Sequence, residues 1–232
     1  MLPIVTVEGD KVALRNVRNF HYRSVSDFDV RYEDRMVNLS KLSGVDFFVS
    51  KWSDAPIAHT FVSFVFEDTD PVCISIEARL EEGEVYSALA SCFKQVELIY
   101  VIGEERDIVG VRAHHRNERV WRYQTTTSPE GARAFFLSYL ERINRLAEEP
   151  EFYHLLSNNC TTNIARHSSP GNRGRPFDLR LLVNGWVDAY AYALGLLDVS
   201  VPLEALRQRS EVTSLARDSA LDEGFSARIR HR

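Results

Sequence analysis

Two spacings of apolar residues divide the chain. Up to residue 125, short runs rich in Val, Ile, Phe and Tyr alternate with turn residues, over 12–14, 31–39, 45–49, 59–66, 72–78, 96–102, 108–112 and 120–123. Such runs read as strands. Asp68, Asp70 and Pro71 supply a tight connection between the fourth and fifth. Consecutive short strands with turn-sized gaps predict an antiparallel sheet rather than parallel crossover units.

From residue 126 the apolar period lengthens. Ser128, Pro129 and Glu130 offer a cap, a first-turn proline and an early acid. Ala132, Phe135, Phe136, Tyr139, Leu140, Ile143 and Leu146 follow at helical spacing and stop short of Pro150. A second helix is expected near Cys160, then a loop rich in Ser, Gly, Arg and Pro over 168–176. Residues 178–197 read as a third helix and 203–215 as a fourth or a broken pair. The expectation is one α+β domain over 1–232, an antiparallel sheet packed against helices. Strands dominate 1–125 and helices 126–232, with a helical C-terminal extension.

Hydrophobic residues make up 44% of the 232 and charged residues 26%, the balance of a protein with a real core. The formal net charge of -5 lacks the basic footprint of nucleic-acid binders, which removes nucleic acid as a partner. No apolar run approaches the roughly 18–20 residues that cross a bilayer. The opening Met-Leu-Pro-Ile-Val lacks the basic start and apolar stretch of a secretory signal. A soluble domain is therefore expected, and composition is equally compatible with the globular part of a longer, anchored protein. No CxxC or HExxH spacing occurs, so neither a metal nor a cofactor is expected.

The three cysteines are Cys73, Cys92 and Cys160, and an odd count leaves at least one thiol outside any disulfide. Cys73 and Cys92 are either core thiols or a pair, and spacing does not choose between them. Cys160 stands out by its flanks, Asn158 and Asn159 before it, Thr161 and Thr162 after it. Asn is a favoured helix cap, which puts Cys160 in the first turn of a helix. There the open amides and the helix dipole favour a thiolate. The same amides suit the oxyanion formed when a carbonyl carbon is attacked. Asn158, Asn159 and Thr161 are accordingly candidates for positioning substrate. Against this stands the ordinary role of a lone cysteine as a small buried residue.

A thiol nucleophile needs a base, and seven histidines are available: His21, His59, His114, His115, His154, His167 and His231. His167 falls about two turns along a helix starting at Asn159. His59 opens an apolar strand, which can aim an imidazole from a rigid sheet at a facing helix terminus. If residues 67–70 form the turn, the expected register sets Ser63 near Ser75, Phe61 near Glu77 and His59 near Arg79. Alternation then gathers His59, Ser63, Ser75, Glu77 and Arg79 on one face and Thr60, Val62, Phe64, Val72, Ile74 and Ile76 on the other. The second set is a core. The first holds groups costly to bury without purpose, and Glu77 is placed to fix the His59 tautomer. Ser75 and Arg79 join the substrate-positioning candidates. The competing reading is a Glu77–Arg79 ion pair on a solvated sheet face.

Arg112, Arg116, Arg119 and Arg122 read as a basic cluster across a strand pair, fit for phosphate head groups or simply solvated. Tyr86, Tyr100 and Trp121 read as core aromatics.

Several ordered strings resemble one known family: Asn16 to Arg23 (NVRNFHYR), Ile57 to Phe64 (IAHTFVSF), Ser75 to Arg79 (SIEAR), Glu97 to Val101 (ELIYV), Asn158 to Thr162 (NNCTT) and Phe225 to Arg230 (FSARIR). Together they resemble the periplasmic domain of the Lnb family of bacterial lipoprotein N-acyltransferases, from about residue 8 to 230. The resemblance implies a circularly permuted relative of the NlpC-type papain-like fold, with the histidine strand ahead of the cysteine helix. It further implies Cys160 as nucleophile, His59 as base, a periplasmic location, and a membrane anchor outside these residues.

Three functions follow as expectations. The first is acyl transfer through a thioester on Cys160, from a lipid-like ester to an amine such as a lipoprotein N-terminus. Lipid or acylated protein is then the substrate, a membrane surface lies close by, and an apolar groove beside Cys160, built partly by the C-terminal helices around Trp186 and Tyr190, is needed for the acyl chain. The second is a cysteine amidase or peptidase acting on cell-wall peptides. The third is a non-catalytic envelope module that keeps the fold as a binding surface.

Overall fold

Alternation along the central strands is what builds this molecule. A computed structural model describes residues 1–53, 57–79, 96–154, 157–168 and 184–231. Within them the strands are β1 (Ile4–Glu8), β2 (Lys11–Arg18), β3 (His21–Tyr22), β4 (Phe28–Asp29), β5 (Tyr32–Asn38), β6 (Leu42–Lys51), β7 (His59–Phe66), β8 (Val72–Arg79), β9 (Glu97–Gly103) and β10 (Arg119–Gln124). Eight of them form one sheet in the order β1-β2-β9-β8-β7-β6-β10, with β5 also paired to β2. The pairings are antiparallel except for a single parallel contact, Arg18 to Gly103, between β2 and β9. The fold is α+β, as expected.

Helices cover both faces. They are α1 (Glu105–Gly110), α2 (Pro129–Glu148), α3 (Cys160–His167), α4 (Val187–Ala193), α5 (Leu203–Ser210), α6 (Thr213–Asp218) and α7 (Phe225–Arg228). Ser128 caps α2 by accepting from the Gly131 amide. On one face Val62, Phe64, Ile74 and Ile76 meet Phe135, Phe136, Tyr139 and Leu140 of α2 together with Cys160 and Ile164 of α3. Phe64 lies against the rings of Phe135, Phe136 and Tyr139 at 4.6–5.6 Å. Each such ring, fully buried, stabilises by about 1.5–3 kcal/mol. On the other face Phe48, Phe61 and Cys73 meet Ile108, Val109, Ala216, Phe225 and Ile229. Cys73 is a buried thiol in that second core; Cys92 and Tyr86 lie outside the described residues.

Four expectations need correction. Residues 108–112 are not a strand. They belong to α1 and to a wider π turn, Val111–His115. The β-branched run there is buried because α1 lies flat on the sheet, and the acidic first turn (Glu105, Asp107) marks a helix start. The four arginines therefore do not share a strand pair: Arg112 is in the π turn and nearly fully buried, while Arg119 and Arg122 are on β10. The β7–β8 register is shifted by two residues, Phe61 facing Ser75 and Ser63 facing Cys73. An even shift keeps every side chain on its expected face. Finally, the third helix is short: a 3-10 turn, Asn184–Trp186, precedes α4, and residues 178–183 lie outside the described part.

The two ends of the chain converge on α1. Arg18 grips Asp107 through two bonds of 3.0 and 2.8 Å, and the Phe20 amide adds a third at 2.7 Å. Arg230 reaches Glu105 at 2.6 and 2.7 Å and Asp46 of β6 at 2.8 Å. Two of the strings singled out in the sequence, 16–23 and 225–230, thus act as anchors for one helix.

Candidate active site

Cys160 opens α3, and its neighbours explain why a helix begins there. The Asn159 side chain accepts from the Thr162 amide at 2.8 Å, and the Thr162 hydroxyl accepts from the Asn159 amide at 2.9 Å. This reciprocal capping box satisfies two of the donors that a helix start leaves open. Asn158 is spent on the loop instead, accepting from Asn163 at 3.0 Å and Arg166 at 3.2 Å and donating to the Phe152 carbonyl at 2.9 Å. Both asparagines thus hold the start of α3, and with it the thiol, in place.

The helix meets the sheet where two strands part. β6 and β7 stay paired out to Ser50 opposite His59, and β8 and β9 out to Arg79 opposite Glu97. Pairing of β7 with β8 stops at Phe61 opposite Ser75. Beyond that point His59 and Thr60 turn to α3. There the His59 ring and the Thr60 side chain and backbone are the neighbours that favour a charged Cys160 sulfur, which also lies 3.8 Å from the Thr161 hydroxyl. The Thr60 hydroxyl also lies 3.0 Å from that of Thr161.

Behind the imidazole stands an ordered chain. His59 Nε2 is 2.7 Å from Ser75 Oγ and 3.3 Å from Glu77 Oε1, and Ser75 donates to the same Oε1 at 2.6 Å. A hydroxyl has one proton to give. Since Ser75 gives its own to Glu77, it accepts from Nε2–H. The imidazole is therefore held on its Nε2 side by a serine–carboxylate pair.

Electrostatics follow. Burial alone pushes the Cys160 thiol up, but the hydrogen bond and charge of His59 and the Thr60 donors overcome it and bring the thiol to about 6. Burial alone pulls the His59 imidazolium down, and Glu77 reverses this to about 9, against repulsion from Arg112. Burial also works against the Glu77 carboxylate, yet His59 and Arg112 hold it well below the usual range. Between those limits the pair is thiolate and imidazolium. Cys73 shows the contrast: fully buried, its thiol is pushed far up.

The remaining candidates fall elsewhere. Arg79 is exposed and donates to Glu97 at 3.1 Å, away from the cluster. The alternative Glu77–Arg79 pair does not form, because Glu77 is taken by His59, Ser75 and Arg112. His167, at the far end of α3, is half-buried between Tyr100 (2.8 Å) and Ser138, and desolvation pulls it down to about 3. A cavity of about 290 Å³ does lie against Trp186, but Lys51, Arg119, Asp188 and Arg207 share its wall with Trp121, so it is a charged recess and not an apolar groove. Sequence reasoning missed Arg112, which enters the cluster from the helix face. The acidic start at Glu104 and Glu105 was the signal that could have placed it. Among the described residues no set of His, Cys, Asp and Glu is arranged to hold a metal.

Fold and cluster together define an α+β protein in which a helix-borne thiol is lowered by a sheet-borne imidazole. The model of the Lnb N-terminal periplasmic domain matches residues 28–185. The chain belongs to this family, which sets it in the periplasm and the work of the cell envelope. The matched stretch contains His59, Ser75, Glu77 and Cys160, while β1, β2 and α4 to α7 lie outside it. Curated proteins and solved structures give no match. Among the described residues no helix is long and apolar enough to cross a membrane.

Proposed function

We propose that the chain catalyses acyl transfer in the envelope through a thioester on Cys160, taking the acyl group from a phospholipid-type ester and giving it to the amino terminus of a lipoprotein. The observation that carries this is a His59 imidazole held 2.7 Å from Ser75 and 3.3 Å from Glu77, acting on a helix-opening Cys160 whose thiol it brings down to about 6. The order of the parts, histidine strand before cysteine helix, fits a circularly permuted papain-type arrangement of the NlpC kind.

The chemistry balances on these residues alone. The Cys160 thiolate attacks the ester carbonyl carbon, and the S–C bond forms while first-turn amides of α3 take the oxyanion. On collapse the C–O bond breaks, and the alcohol leaves with the proton from the His59 imidazolium. His59, now neutral, takes a proton from the incoming amine as its nitrogen attacks the thioester. The C–S bond breaks, and the thiolate and the imidazolium are restored. Glu77 stays ionised throughout and Ser75 keeps the ring in one tautomer.

The test is intact-mass spectrometry after incubation with defined phospholipids, then with a lipopeptide amine. The expected result is one added acyl group on the wild type, none on Cys160→Ala, and its loss when amine is added. An adduct discharged by water alone, or cleavage of muropeptides instead, replaces transfer by hydrolysis. A Cys160→Ala protein with full activity overturns the proposal.

A further inference from the structure

One oxygen of Glu77, Oε1, accepts from Ser75 at 2.6 Å and from Arg112 Nη2 at 3.0 Å, and lies 3.3 Å from His59 Nε2. Two of these bring positive charge. His59 loses its charge during the reaction proposed above, whereas a guanidinium keeps its charge at any working pH. Arg112 is also fixed more firmly than a surface arginine. Its Nη1 donates to the Ile108 carbonyl at 2.6 Å, and its guanidinium carbon lies 4.9 Å from the centre of the Phe61 ring. Its Nε is 3.9 Å from Glu118, which accepts from Ser50 at 2.5 Å, and Ser50 is the β6 partner of His59. The side chain is carried on the π turn after α1, a widening of the helix of the kind found at functional sites. Both chain ends hold α1 down through Asp107 and Glu105.

We propose that Arg112 is a positioning residue that keeps Glu77 ionised whatever the charge on His59, so that the imidazole can surrender its proton to the leaving group. This rests on the acyl-transfer reading. With two cations on one carboxylate, deprotonation of His59 leaves Glu77 still paired. With His59 alone, the carboxylate and imidazolium would lock together, and releasing the proton would leave an unpaired anion in a half-buried site. Arg112 also repels the imidazolium directly. Cys160, Glu77 and Arg112 act on His59; Glu77 and Glu118 face Arg112; Arg18 and Tyr22 are the next charged or titratable groups around them.

The test is the pH dependence of Cys160 alkylation and of His59 titration by NMR, in wild type, Arg112→Gln and Arg112→Lys. Arg112→Gln is expected to move the upper, His59-dependent limb to higher pH by about one unit, the size of one strong charge neighbour. Arg112→Lys, which keeps the charge, is expected to return most of that shift. An unmoved limb in folded Arg112→Gln overturns the proposal. Should that variant not fold, carbon-13 titration of Glu77 in the wild type decides. Its carboxyl is expected to stay ionised while His59 deprotonates, and a Glu77 signal that gains a proton in step with His59 overturns the assignment. A wild-type Cys160 that shows no thiolate at neutral pH instead overturns the acyl-transfer reading, a separate outcome.

Discussion

The hydroxyls of Thr60 and Thr161 lie 3.0 Å apart, both fully buried. Thr60 follows His59 on the strand and Thr161 follows Cys160 on the helix, so this contact ties together the immediate neighbours of base and nucleophile. Thr60→Val leaves the Thr161 hydroxyl with only its 3.8 Å contact to the Cys160 sulfur and is expected to cost about 1–3 kcal/mol. The double replacement Thr60→Val with Thr161→Val removes both polar groups and recovers most of that stability. It does not recover thiol reactivity, because the Thr60 hydroxyl also serves the Cys160 sulfur. Chemical denaturation and alkylation rates, measured on the same three proteins, separate the two effects.

Glu77→Gln keeps the shape but offers a neutral acceptor, so the ring loses the charge that holds it protonated. Turnover is expected to drop by about 10²–10⁴-fold, the span of general acid–base catalysis. Ser75→Ala is expected to lose less, since Glu77 Oε1 still stands 3.3 Å from Nε2. Steady-state rates of both variants, with unchanged circular dichroism, check the order.

Much of this arrangement was legible beforehand. Alternation along 59–66 and 72–78 set the two faces correctly even with the pairing off by two, because side-chain direction has a period of two. The Asn-Cys junction announced a capped helix, and α3 begins at Cys160. What escaped has one physical origin. The run Ile108, Val109, Gly110, Val111 is apolar and β-branched, which local preference assigns to a strand. Tertiary contacts decide otherwise, with Arg18 and Arg230 fixing the acidic turn and the sheet burying the apolar side. Missing α1 meant missing Arg112. Arg79 shares the face but sits at the strand end, where it pairs with Glu97 of β9 and not with Glu77.

Arg230 joins the chain terminus to α1 and β6 through Glu105 and Asp46, both buried. Arg230→Met leaves two acids without that partner and is expected to cost roughly 3–5 kcal/mol. Urea unfolding is the check, with a smaller loss expected for the exposed Arg23, whose partners Asp27 and Asp29 are solvated.

Stability should follow pH through the same pair. His59 is raised to about 9, so its contribution is whole below the ordinary imidazole value of 6.5 and fades as pH climbs through about 9. Cys160 is lowered to about 6, so its contribution is whole above the ordinary thiol value of 9.0 and fades as pH falls through about 6. The gap in melting temperature between wild type and a variant carrying both His59→Ala and Cys160→Ala is expected to depend on pH, with changes on the flanks near those two values. A gap constant across the whole range speaks against the ion pair.

The most direct measurement is the titration of Cys160 itself, followed by thiolate absorbance or alkylation rate in wild type and His59→Ala. The account predicts a wild-type thiolate already formed by neutral pH, with an apparent midpoint near 6, and a shift upward by more than one unit without the imidazole. A wild-type midpoint near the ordinary thiol value of 9.0, or one that His59→Ala leaves unmoved, contradicts it.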